Sequence, residues 1–242
     1  MLLKRRLTIG VLAGALAGAG YVLVDHGWHV SVWTKIRGRY TIAERLGTYG
    51  PAVEARLTPA LSAKQLTFPP KHLALVAFKD QRTLLVFARS HESESWRMIR
   101  QYPILGLSGA NGPKLREGDR QVPEGRYEIE SLNPSSRYHL ALRLNYPNTF
   151  DRARALDDGR THLGADIMIH GGHVSIGCLA IGDPAVEELF VLSARTRLEN
   201  ITVLIAPTDF RTTPAPSAQN QPPWINDLYD QIRADLSQFP ED

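Results

Sequence analysis

The chain has 242 residues, 43% hydrophobic and 22% charged, a composition that rules out a disordered polymer and allows one domain of ordinary size with extensions. Its formal net charge is only +3, from 28 basic and 25 acidic residues. No basic block carries interleaved aromatics, so nucleic acid is excluded as an expected partner. A single cysteine excludes an internal disulfide and the zinc patterns built on paired cysteines.

Lys4, Arg5 and Arg6 precede an uncharged apolar stretch from Leu7 to Val24. That is the layout of a secretory signal, with Ala17 and Ala19 as small residues near a cleavage point. Its 18 residues also approach the length that spans a bilayer. Residues 1–24 therefore read as a removed signal peptide or a retained membrane anchor. In either case the basic flank stays inside and the rest is exported, to the periplasm or cell envelope. In an oxidising compartment an unpaired thiol is a chemical hazard, so Cys178 reads as a reactive group or, more blandly, as a small buried hydrophobe.

Residues 25–68 read as a helical connector. Ile42, Leu46 and Val53 fall near helical spacing, Pro51 interrupts them, and Phe68-Pro69-Pro70 marks the boundary. A catalytic domain is expected over 69–209. Leu73 to Phe78 and Thr83 to Ala88, separated by four polar residues, read as a β-hairpin. Further strands are expected at Arg97–Ile104, Arg126–Leu132, Tyr138–Leu144, Asp166–His170 and Ile201–Ala206. In Tyr138–Leu144 the alternation puts Tyr138, Leu140, Leu142 and Leu144 on one face. Glycine-rich connections between many short strands predict a mainly β fold with flanking helices, a sandwich or barrel. One helix is expected after Asp183, with Asp183 as its cap, Pro184 at the first helical position and Val186, Leu189 and Phe190 as its apolar face. Residues 210–242 read as a Pro-rich linker and an amphipathic helix with Ile225, Leu228, Ile232 and Leu236 on one side.

The chemistry lies in Asp166-Ile-Met-Ile-His170-Gly171-Gly172-His173-Val-Ser175-Ile-Gly177-Cys178. Asp166, Met168 and His170 are expected on one face of a short strand that Gly171 and Gly172 end. A short loop then returns to Gly177-Cys178, so that thiol and imidazole can meet. A thiol is mostly protonated at neutral pH, and an adjacent imidazole can take its proton or hold it as a thiolate. With no side chain at Gly177, the N–H groups of residues 177 and 178 can approach a substrate carbonyl and hold an oxyanion. The chemistry expected is acyl transfer through a thioester.

This stretch resembles the active-site motif of the L,D-transpeptidase catalytic domain family, in which a His-Gly pair at a strand end precedes Ser/Thr-His-Gly-Cys. His170-Gly171 and Ser175-Ile176-Gly177-Cys178 match its two parts, and Val122-Pro123-Glu124-Gly125-Arg126-Tyr127 resembles its Thr-Pro-x-Gly-x-Tyr/Phe turn. The resemblance covers about residues 70–207. It implies Cys178 as nucleophile, His170 as proton acceptor and donor, and the Gly171 carbonyl as the group that orients the imidazole. It implies peptide stems of peptidoglycan as substrate and no cofactor. Ile176 replaces the motif's second histidine, and Ala180 stands where Arg or Asn is common. These departures are similar to a divergent branch with His-Gly-Gly-x-x-Ser-x-Gly-Cys, which includes an amidase that releases a wall-linked lipoprotein. Hydrolysis by the same Cys–His site is therefore the alternative to transfer, with a wall-linked lipoprotein as an alternative partner.

Ser175, Asp166, His139 and Tyr146 are candidates for substrate binding. Each also has a plainer reading: Asp166 as a carboxylate paired with a nearby arginine, Tyr146 with Pro147 and Asn148 as a turn. His173 reads as an exposed loop residue or a second imidazole near the thiol. His162, Asp166, His170 and His173 include the ligand types of a zinc hydrolase, but strand geometry would point them apart. A non-catalytic wall-binding domain is the third class.

Overall fold

A computed structural model describes residues 39–241. The apolar segment Leu7–Val24, expected as signal or anchor, lies outside the described residues, as does the start of the expected connector. Among the described residues no helix is long and apolar enough to cross a membrane. The elements in chain order are α1 (Ile42–Ala63), β1 (His72–Phe78), β2 (Thr83–Arg89), β3 (Arg97–Pro103), β4 (Gly125–Ser136), β5 (His139–Leu144), α2 (Thr149–Asp157), β6 (Met168–His170), β7 (Leu179–Ala180), α3 (Asp183–Thr196), β8 (Ile201–Ala206) and α4 (Ile225–Leu236).

The strands form one mixed sheet in the order β3-β2-β1-β8-β4-β5-β6-β7. The predicted hairpin is present: β1 and β2 pair antiparallel from His72↔Arg89 to Phe78↔Thr83. β1 also pairs with β8, in parallel. β4 joins the two halves of the sheet. Its first residues, Gly125 to Glu128, pair with β8, and from Ile129 onward it pairs with β5 through two register shifts. This is the mainly β fold with flanking helices that the strand pattern implies.

Helices cover both faces of the β1–β2–β8 half, which is why these strands read as unbroken apolar runs instead of alternating ones. On one face Leu73, Leu75, Leu84, Val86, Val203 and Ile205 pack with α1 and α3. On the other, Ala74, Val76, Phe78, Phe87 and Leu204 meet Ile225, Leu228, Ile232 and Leu236 of α4. The four apolar positions expected on the C-terminal helix are all buried.

α1 runs through Pro51 as well as Pro59, so Pro51 does not interrupt it. An interior proline costs about 3 kcal/mol. Val53, Leu57 and Leu61, four residues apart and at most 1% exposed, each return about 1.5–3 kcal/mol on burial. A Thr41–Glu44 capping box fixes the start of the helix.

Candidate active site

The site forms where the sheet runs short. β6 has three residues and β7 two, because Gly171, Gly172 and the loop to Gly177 interrupt any longer pairing. Ala141 of β5 pairs with His170, Arg143 with Met168, and His170 with Ala180 of β7 in the parallel ladder. Directly paired residues share a face, as do residues two apart on one strand. Arg143, Met168 and His170 therefore lie on one face. The opposite face carries Leu142, Ile169 and Leu179, which enter the core under α3. Extending the β6–β7 register by one residue puts Cys178 beside Met168 on the His170 face. Thiol and imidazole are then diagonal neighbours across two strands.

His170 is 3% exposed. Its Nδ1 lies 2.6 Å from the Gly171 carbonyl oxygen, which can only accept. Nδ1 therefore carries the proton, and Nε2 is left as the acceptor. The Tyr138 ring stacks on the imidazole at 4.7 Å between centroids and 24° between planes. Gly171 has no room for a side chain: a Cβ there would lie 2.4 Å from Asp183 Oδ1 and 2.7 Å from the Tyr138 carbonyl. The next amide, Gly172 N–H, donates to Asp183 Oδ1 at 2.8 Å. Asp183 thus does not cap its own helix. Gly182 takes the N-cap place without a side-chain bond, and the carboxylate holds the loop after His170.

The half-buried Cys178 thiol donates to the Asp166 carbonyl at 3.6 Å rather than to the imidazole. Burial lowers the pKa of His170 against the pull of its Gly171 bond. Burial likewise raises the pKa of Cys178; the Asp166 carboxylate adds to this, while a Met168 hydrogen bond and the Lys114 charge oppose it. Both shifts favour a neutral thiol beside a neutral imidazole, not a thiolate–imidazolium pair.

The amides expected as oxyanion donors are already engaged. Gly177 N–H donates to Ser108 Oγ at 2.7 Å, and Cys178 N–H to Ser175 Oγ at 2.9 Å. Ser175 Oγ in turn donates to the Cys178 carbonyl at 2.6 Å, so this hydroxyl shapes the thiol turn instead of facing open solvent. Shielded amides require partners, and the two serine hydroxyls supply them. Gly177 sits at φ +98°, a conformation that glycine adopts freely.

Asp166 is not on the strand face with Met168 and His170. It lies before β6 at φ +61°, and its exposed carboxylate pairs with Arg143 Nη1 at 2.7 Å, the plainer of its two readings. His139 opens β5 at φ +71°, which swaps the expected faces. Tyr138 leaves the leucine face to cover His170, while His139 turns to the helices, 3.0 Å from Glu187 Oε1 and edge-on to Tyr49. Tyr146 is buried, and its hydroxyl donates to the Leu163 carbonyl at 3.1 Å. The structure thus brings His170, Gly171, Ser175, Gly177 and Cys178 together and turns His139 and Tyr146 to other contacts. Among the described residues no three His, Cys, Asp or Glu side chains gather as metal ligands, so His162, Asp166, His170 and His173 form no cluster.

Ser108, Tyr138 and Lys114 were not legible as site residues. Ser108 and Lys114 belong to the β3–β4 loop, far from the motif in sequence. Only Tyr138 had a signal, its place at the start of the strand that pairs with the histidine strand.

No family model matches the chain. It is 30% identical over 181 residues to "Putative L,D-transpeptidase YafK" of Escherichia coli K12, covering 74% of this chain and 70% of that protein. The chain belongs to the L,D-transpeptidase family. Among solved structures it is similar to Bd1075 of Bdellovibrio bacteriovorus, at 23% identity and a TM-score of 0.43, over 71% of this chain and 56% of that one. It is also similar to the helical cell shape determining protein Pgp2 of Campylobacter jejuni, at 24% identity and a TM-score of 0.42, over 57% of this chain and 48% of that one. The family member described here thus spans about half the length of those two chains.

Proposed function

We propose that this protein is an exported cysteine acyltransferase acting on the peptide stems of peptidoglycan, with Cys178 as nucleophile and His170 as its base. The observation that carries the reading is the Nδ1–Gly171 bond of 2.6 Å. It leaves Nε2 as the basic nitrogen of a buried imidazole on the sheet face that the register assigns to the thiol.

The chemistry runs in two halves. The thiol proton passes to Nε2 as sulfur attacks the carbonyl carbon, and the carbonyl oxygen becomes an oxyanion. The oxyanion, a charged and therefore stronger acceptor than a hydroxyl, takes the Gly177 N–H from Ser108 and the Cys178 N–H from Ser175. The C–N bond breaks, the leaving amine takes the proton from the imidazolium, and a thioester remains. An acceptor amine then attacks the thioester and yields its proton to Nε2. A new amide forms, and the departing sulfur recovers the proton. Water in place of the amine gives hydrolysis.

Purified protein incubated with defined muropeptides, with and without an acceptor amine, tests this by mass spectrometry. Cross-linked products that require both the amine and Cys178 are expected. Cleaved stems alone would replace transfer with hydrolysis. A Cys178→Ala protein with full activity would overturn the cysteine mechanism, and binding to wall without any turnover would leave a binding domain.

A further inference from the structure

At one corner the sheet outruns the helix that covers it. Phe87 and Leu204 face α4. Arg89, two residues on from Phe87, and Arg126, paired with Leu204, share their face. α4 stops at Leu236, and Phe239 beyond it packs on Phe87 and Trp96, with ring centroids 4.9 and 5.4 Å away. Here lies a cavity of about 60 Å³, lined by Arg89, Trp96, Arg126, Leu204, Asp235 and Phe239 among others. A water occupies about 30 Å³ in the liquid, so the cavity suits a group of a few heavy atoms and not a whole sugar ring.

Two donors of this wall, Trp96 Nε1 and Arg89 Nε, are shielded from solvent and have no acceptor among the described residues. Trp96 is only 7% exposed. Arg89 Cζ lies 4.2 Å over its ring, so the two donors are neighbours. Arg89 Nη1 is used elsewhere, on the Glu92 carbonyl at 2.7 Å. A buried donor without an acceptor is costly and uncommon in native proteins, and a buried indole N–H usually finds one. The wall also holds a carboxylate. Asp235 pairs through Oδ1 with the exposed Arg126 at 3.4 Å, which leaves its second oxygen as an acceptor.

The recess thus calls for an acceptor at Trp96 and Arg89, a donor at Asp235 and an apolar group against Leu204 and Phe239. An anion does not fit, because Asp235 and the negative C-terminal end of α4 both oppose it. A neutral amide meets all three demands. A peptide bond inside a chain needs an entrance and an exit, whereas an acetamido group ends in a methyl and fills a small recess. We infer that this corner is a binding site for the acetamido group of an N-acetylated sugar. Its carbonyl accepts from Trp96 Nε1 and Arg89 Nε, its N–H donates to Asp235, and its methyl lies against Leu204 and Phe239. The site belongs to the long-strand half of the sheet, apart from β6 and the Cys178 turn, so it holds a glycan while chemistry proceeds elsewhere. Only the choice of a wall polymer as the carrier of that sugar rests on the acyl-transfer reading.

The test titrates the intact protein with two neutral β-1,4-linked tetrasaccharides, one of N-acetylglucosamine and one of glucose. They differ only in carrying an acetamido group or a hydroxyl beside each linkage. Hydrogen bonds to a buried amide and the burial of its methyl should make the acetylated tetramer bind about tenfold tighter. The chain has four tryptophans. By NMR, the indole N–H signal that Trp96→Phe removes should move with the acetylated tetramer and stay in place with the glucose one. Trp96→Phe keeps an aromatic ring against Phe239 and should bring the affinity ratio toward one. Asp235→Ala, at the partly exposed rim, should lower the ratio about threefold without disturbing the core. Equal binding of the two tetramers, or a preference that neither variant changes, overturns the site. So does a sugar-free stem peptide that moves the Trp96 signal as far, since the ligand is then peptide backbone. Acetamido preference in a protein without muropeptide turnover would sink the acyltransferase and keep this site; turnover without the preference would do the opposite.

Discussion

The two ends of the sheet are built on different principles. At one end β1, β2 and β8 are six or seven residues long, covered on both faces, and need only apolar contact to stay in place. At the other end β6 and β7 have three and two residues, and hydrogen bonds hold what the core does not. Ser108 holds Gly177, Ser175 holds Cys178, Asp183 holds Gly172, and Gly171 holds the imidazole. A buried core tolerates hydrophobic exchange of similar volume, whereas a hydrogen-bonded turn is specific to atom positions. The division therefore separates where stability is made from where geometry is set.

The ion pair of Lys79 and Glu124 tests that division most severely. Its atoms are 2.8 Å apart, with side chains 2% and 0% exposed. Lys79 Nζ also donates to the carbonyls of Gly112 and Val122, which ties the β3–β4 loop to the long-strand end. Removing one partner leaves a buried uncompensated charge, so Glu124→Ala should lose about 3–5 kcal/mol of stability in denaturant unfolding. A loss under about 1 kcal/mol would mean that the pair is not the staple. Leu236→Ala, at the α4 contact, should cost about 2–5 kcal/mol and leave kcat/KM unchanged at temperatures where the protein remains folded. A tenfold fall in kcat/KM would break the comparison, because it would couple the α4 face to the thiol.

Smaller effects are expected at the short-strand end. Tyr138→Ala removes a stacked ring worth about 0.5–1.5 kcal/mol and opens His170 to water. The histidine pKa should then move up toward its ordinary value, read by NMR titration, since burial is what holds it down. An unchanged pKa would show that the ring does not shield the imidazole. The mildest test is the pH dependence of thiol alkylation. The thiol pKa is raised, so the thiolate fraction should grow tenfold per pH unit across neutrality. A rate already level near pH 7 would reveal a preformed thiolate–imidazolium pair.

The strands were legible because apolar runs bounded by turn residues leave few other readings, as in Leu73–Phe78 and Thr83–Ala88. The helix through Pro51 was not, since local propensity opposes it and only burial of Val53, Leu57 and Leu61 against distant strands decides it. At the site, the pairing of His170 with Cys178 was legible from a strand, two glycines and a short return. The Ser108 partner was not, because it comes from a different loop 69 positions away. Asp166 and His139 defeated alternation for one shared reason. Both adopt positive φ, and a single such residue reverses which face its neighbours see.

The Gly171 bond also limits where a proton can travel. With Nδ1 occupied and the ring 3% exposed, a proton that enters His170 has one door, and it is the nitrogen through which it came. On the proposed chemistry the hydrogen removed from the thiol is therefore the hydrogen delivered to the departing amine.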